Sequence, residues 1–131
     1  FEHAGISVAD LEAACEWYET ALGLEAEGDF EFARINLRGR VLGANGFRVE
    51  LIEQEGSRDD PYRHPDPGKS LRWRGLGHVC IRVEGLEAAY DSLLAAGASA
   101  VIAPRRSPLE GRRYAYVNDP EGNQIELMEY A

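Results

Sequence analysis

Two stretches of this chain repeat each other, and the repeat limits the fold more than any other feature. His3-Ala4-Gly5-Ile6-Ser7-Val8-Ala9-Asp10-Leu11-Glu12-Ala13-Ala14 aligns with His78-Val79-Cys80-Ile81-Arg82-Val83-Glu84-Gly85-Leu86-Glu87-Ala88-Ala89 at an offset of 75. Val49-Glu50-Leu51-Ile52-Glu53 answers Ile125-Glu126-Leu127-Met128-Glu129 at an offset of 76. A chain of 131 residues can build one sizeable core but not two independent ones. The halves therefore read as modules of a single domain: 1–56, a linker over 57–75, and 76–131. Duplication implies pseudo-two-fold symmetry, which carries repeated residues to equivalent places.

Periodicity supplies the elements. Residues 2–8 alternate and favour a strand. Asp10 is placed to cap a helix over 11–22, where Leu11, Ala14, Cys15, Tyr18 and Leu22 keep helical spacing and Gly23 can end it. Strands are expected near 29–36, 39–44 and 47–53, with Asn45-Gly46 as a tight hairpin turn. The second half repeats the order: a strand at 77–83, a helix at 86–96 stopped by Gly97, then strands near 100–103, 112–118 and 124–129. Asn118-Asp119-Pro120-Glu121-Gly122-Asn123 forms the last turn. The expected class is α+β, two pseudo-symmetric βαβββ modules. The linker, rich in Pro, Asp, Arg and Gly, reads as irregular.

Composition narrows the functions. A formal net charge of −9 argues against nucleic-acid binding, which needs a basic face to displace counterions. No apolar run is long enough to cross a bilayer and no signal peptide is visible, so a cytoplasmic protein without membrane contacts is expected. Cys15 and Cys80 lack pairing or metal spacing and read as free thiols.

Strand alternation places the repeated polar residues. Ala4, Ile6, Val8, Val49, Leu51, Val79, Ile81, Val83, Ile125 and Leu127 make the apolar face that packs under the helices. The opposite face carries His3, Gly5 and Ser7; Arg48, Glu50 and Ile52; His78, Cys80 and Arg82; Gln124, Glu126 and Met128. A lone His or Glu on a strand is usually structural or solvated; two of each at repeat-equivalent positions make a metal site the better reading. Imidazole and carboxylate donors from His3, Glu50, His78 and Glu126 suit divalent Zn, Ni, Co, Mn or Fe. A loosely held Glu50 or Glu126 can double as the catalytic general base beside a carbonyl. Arg48 and Arg82 on the same face suggest an anionic or carboxylate-bearing small molecule. Phe30, Phe32, Trp73 and Tyr116 are candidate pocket aromatics, whereas His64 in the polar linker reads as solvent-exposed.

His3-x-Gly-Ile-x-Val-x-Asp-Leu, Trp17-Tyr18, Leu22-Gly23-Leu24, Val49-Glu50-Leu51, Gly77-His78 and Asp119-Pro120-Glu121-Gly122-Asn123-x-Ile125-Glu126-Leu127 together resemble the vicinal oxygen chelate superfamily. It holds glyoxalase I, methylmalonyl-CoA epimerase, extradiol dioxygenases and the fosfomycin and bleomycin resistance proteins. The resemblance implies that the two modules form a curled mixed sheet around a metal site, in a protein that is commonly a dimer, with ligands at His3, Glu50, His78 and Glu126. It also implies lyase or isomerase chemistry through a metal-bound enediolate, glyoxalase I-like or epimerase-like. Bacterial glyoxalases usually grip glutathione with an Arg and an Asn; Ser7 and Gln54 take those places here, and Ser7 is a candidate substrate contact. The alternatives are an extradiol-type dioxygenase, which needs only three ligands and no Glu50, and a resistance-type protein that binds a small molecule without catalysis.

Overall fold

The computed structural model describes residues 1–131, which divide into two compact units, Phe1–Asp59 and Asp60–Ala131. In the first unit, β1 (Ala4–Ser7) leads into α1 (Leu11–Leu22), followed by β2 (Glu25–Phe32), β3 (Leu37–Ala44) and β4 (Phe47–Gln54). The second unit opens with a single helical turn, α2 (Pro67–Ser70). It then runs β5 (Val79–Arg82), α3 (Leu86–Ala95), β6 (Ser99–Arg106), β7 (Arg112–Asn118) and β8 (Gln124–Tyr130). Each unit holds one open four-stranded mixed sheet, ordered β1-β4-β3-β2 and β5-β8-β7-β6. In both, the outer β1 or β5 lies parallel to its neighbour while the remaining pairings are antiparallel. This is the expected α+β class with the module repeated.

Local chemistry explains the boundaries. The Asp10 carboxylate accepts from Ala13 N at 3.0 Å, closing the first turn of α1. Gly23, at φ 65°, is the left-handed residue that ends α1. Asn45 and Gly46, with φ of 53° and 78°, both take positive values and fold the β3–β4 hairpin tightly. The β2 strand begins four residues earlier than expected, at Glu25 rather than near 29. It is an edge strand exposed on both faces, so acidic residues fit without apolar alternation, and a bulge lies between Ala26 and Gly28. β6 is likewise longer than expected, an edge strand with two register shifts that accommodate Pro104.

The helices cover the apolar sheet faces. Val8, Leu11, Cys15, Tyr18, Leu42, Val49 and Leu51 are buried in the first unit; Leu86, Tyr90, Leu93, Ala115, Val117, Ile125 and Leu127 are buried in the second. Cys15 is a small core residue as its helix stripe implied, while Cys80 is exposed and free.

A carboxylate ties each helix to its sheet. Glu53 at the end of β4 accepts from Leu11 N at 2.7 Å and from Arg38 Nε and Nη2 at 3.1 and 3.0 Å. At the equivalent place Glu129 accepts from Gly85 N and Leu86 N at 2.8 and 3.2 Å and from Arg113 at 3.3 Å. Both arginines also reach a first-turn helix glutamate, Glu12 or Glu87. The pairing lowers the carboxyl pKa of Glu53 and Glu87, chiefly through the arginine hydrogen bonds.

Most of the expected linker belongs to the second unit. Asp66 caps α2 by accepting from Gly68 N at 2.8 Å, and Pro67 sits at its first position. The buried Gln124 amide donates to the carbonyls of His64 and Pro65 at 2.9 and 3.1 Å, and Arg63 donates to Glu121 O at 3.2 Å. No helix is long and apolar enough to cross a membrane.

Candidate functional site

In the first unit, parallel pairing sets Gly5 of β1 beside Glu50 of β4, and His3 lies two residues earlier on the same face. His3 Nε2 stands 3.5 Å from Glu50 Oε2. The other ring nitrogen, Nδ1, is hydrogen-bonded by Glu2, whose second oxygen also accepts from Arg48 at 2.9 Å. An imidazole held at Nδ1 by a carboxylate has its Nε2 oriented for a ligand, the usual support of a metal-binding histidine.

The second unit repeats the pair. Cys80 of β5 lies beside Glu126 of β8, and His78 Nε2 stands 3.1 Å from Glu126 Oε2. Here the flanks differ. Tyr116 of β7 pairs with Glu126 from the other side, and its hydroxyl lies 3.3 Å from His78 Nε2. The two rings meet edge to face at 5.2 Å. Burial, then Glu126, pushes the Tyr116 phenol up. His78 Nδ1 is buried without a hydrogen-bond partner. The turn before β8 is held by Asp119, whose carboxylate accepts from Glu121 N, Asn123 N and Asn123 Nδ2 at 3.0, 2.8 and 2.8 Å.

Each unit therefore brings one imidazole Nε2 close to one carboxylate Oε2. In neither unit do three or more His, Cys, Asp or Glu side chains form a group that could hold a metal ion. The donor chemistry fits a divalent metal: neutral nitrogen and anionic oxygen, with Nε2 turned toward the carboxylate in both units. Among the expected substrate contacts, Arg48 is occupied by Glu27 at 2.7 and 3.0 Å and by Glu2. Arg82 forms no salt bridge, and its guanidinium lies 4.9 Å from the centre of the Tyr130 ring. Ser7 is exposed at the end of β1, and Gln54 donates to Ile35 O at 3.2 Å. Phe32 and Trp73 are exposed, whereas Tyr116 is buried beside His78. A groove of about 420 Å³ in the first unit is lined by Glu31, Arg38, Glu53 and Glu55 and includes none of the four candidate ligands.

Two βαβββ units, each presenting a His from just before its first strand beside a Glu of its last strand, define the class. Residues 1–127 match the model of the Glyoxalase/Bleomycin resistance protein/Dioxygenase superfamily, and the chain belongs to that family. Among curated relatives it is 26% identical to a probable lactoylglutathione lyase of Vibrio cholerae, over 97% of this chain and 88% of that one. It is 31% identical to an ethylmalonyl-CoA/methylmalonyl-CoA epimerase of Cereibacter sphaeroides, over 73% of this chain and 69% of that one. Its fold matches glyoxalase I from Zea mays with a TM-score of 0.76 at 21% identity, over 99% of this chain. The chain spans 44% of that maize protein, less than half its length.

Proposed function

We propose that this chain is a divalent-metal-dependent lyase or isomerase that moves a proton on a carbon next to a carbonyl. One observation carries the reading: the same imidazole–carboxylate pair recurs at register-equivalent positions of two duplicated units. His3, Glu50, His78 and Glu126 are the proposed ligands of a Zn, Ni, Co, Mn or Fe ion. When bound, such an ion polarises a carbonyl oxygen and stabilises negative charge developing there. The chain's own groups do the rest. Glu50 or Glu126 takes the proton from the substrate carbon and returns it to a neighbouring position. Arg82, Arg48 and Ser7 are the proposed contacts for an anionic small-molecule substrate, with Arg82 the one that forms no salt bridge. The lyase and epimerase relatives both support this chemistry. The functional form is proposed to be a cytoplasmic homodimer.

Metal analysis of the purified protein, followed by screening with methylglyoxal–thiol adducts, acyl-CoA esters and catechols, tests the reading. A bound divalent ion and turnover of a thiol adduct or acyl-CoA ester are expected. A protein that takes up no divalent metal removes the proposal. Ring-opening of a catechol with ferrous iron replaces it with the dioxygenase reading, and metal uptake without turnover replaces it with the binding-protein reading.

A further inference from the structure

The two histidines of the repeat are supported from behind in different ways. In the first unit the preceding residue, Glu2, hydrogen-bonds His3 Nδ1 and is itself held by Arg48 at 2.9 Å. Ala4 pairs with Val49, so Arg48 is the residue that falls beside His3. In the second unit Gly77 takes the place of Glu2 and has no side chain to offer. Val79 pairs with Ile125, so Gln124, the counterpart of Arg48, falls beside His78. Alternation puts both side chains on the face that carries Glu126. His78 Nδ1 and Gln124 Oε1 are each buried without a partner. Buried polar groups are almost always paired, so two orphans at neighbouring positions point to each other.

The Gln124 amide is not free to turn round. Its nitrogen donates to the carbonyls of His64 and Pro65 at 2.9 and 3.1 Å, and carbonyl oxygens only accept. The end left over is Oε1, an acceptor. A neutral imidazole that gives its Nε2 lone pair to a metal carries its proton on Nδ1, which is then a donor. The two orphans are complementary. Asn118 Oδ1 is also buried and unsatisfied, but β7 lies one strand further from β5 than β8 does, about 10 Å of sheet against about 5 Å. Resting on the metal-site reading above, we infer that Gln124 is a positioning residue for His78. With Nε2 on the ion, Gln124 Oε1 accepts from His78 Nδ1–H and fixes the ring. The segment before β5 sets this up, because its carbonyls choose which end of the amide faces the imidazole. Losing such an outer partner usually weakens metal affinity about 10- to 100-fold.

Zinc(II) titration of the full chain against a chelator, with nitrogen-edited NMR of the imidazoles in the loaded protein, tests this without any substrate. In the parent the His78 Nδ1–H proton should exchange slowly with solvent and show a nuclear Overhauser contact to the Gln124 side chain. Gln124→Met keeps the volume but offers no acceptor there. It should lose that slow proton together with about tenfold or more in Zn(II) affinity. Arg63→Ala removes the bond to Glu121 O and loosens the same segment while leaving the acceptor in place, so it should bind like the parent. Parental affinity in Gln124→Met, or an equal loss in Arg63→Ala, overturns the inference while leaving the metal reading standing. Should Gln124→Met fail to fold, the parent's spectrum decides alone: no contact between Nδ1–H and Gln124 refutes it. A parent that binds no Zn(II) sinks the metal reading and this inference with it.

Discussion

Replacing Glu53 with alanine removes three hydrogen bonds at once, and their geometry sets the expected cost. The bond to Leu11 N, at 2.7 Å and partly buried, acts as a helix cap supplied from another strand. Losing a capping acceptor costs about 1 kcal/mol. A part-buried N–H left without a partner moves that toward the upper end, about 1.5 kcal/mol. The Arg38 pair adds only about 0.5 kcal/mol, because that arginine is half exposed and water screens it. The sum is about 2 kcal/mol. With an unfolding entropy of about 2.1 cal/mol/K per residue over 131 residues, it corresponds to a drop of about 7 °C in Tm. Glu53→Gln keeps an acceptor for Leu11 N and should lose less than half as much. Denaturant and thermal unfolding of the two variants check the argument. A Glu53→Ala protein within about 0.3 kcal/mol of the parent refutes the capping account. So does a glutamine variant as damaged as the alanine one, since the charge rather than the acceptor would then matter.

Acid should weaken the fold through the same device. The Glu53 and Glu87 carboxyls lie below their ordinary value of 4.5 in the folded chain, mainly because Arg38 and Arg113 hydrogen-bond them. Their stabilisation is complete above that value and lost as pH falls through the depressed folded ones, so denaturant midpoints should drop from about pH 5 to pH 3. The drop should be shallower in Arg38→Gln/Arg113→Gln; an equally steep acid limb there would show that other groups cause it. Gly39→Ala should cost about 1–3 kcal/mol in chemical unfolding. A Cβ at residue 39 would lie 2.2 Å from the Phe30 ring and 2.8 Å from the Leu51 carbonyl, and backbone cannot step aside easily. Saturating Co(II) at about 100 times its Kd should raise stability by about 2.7 kcal/mol. A chelator should reverse that gain, and a parental gain in His78→Gln would remove His78 from the ligand set.

Local rules explain why some of this was readable and some was not. Asp10, Gly23 and Asn45-Gly46 act within a few residues of themselves, and each sits where the structure uses it. The His–Glu pairs were legible because the chain says them twice; one copy alone would have looked like an ordinary solvated glutamate beside a strand. What escaped depends on partners far away in sequence. Glu53 reaches back 42 residues to cap α1, so nothing near either end announces the bond. The acid-rich start of β2 hides a strand because an edge exposed on both faces needs no alternation. Tyr116 could be read only as another aromatic, since its meaning lies in register: opposite Glu126 it supplies a hydroxyl where Val41 supplies none opposite Glu50. Duplication makes a site legible through what the copies share. The places where they differ become visible only once strand pairing says which residues correspond.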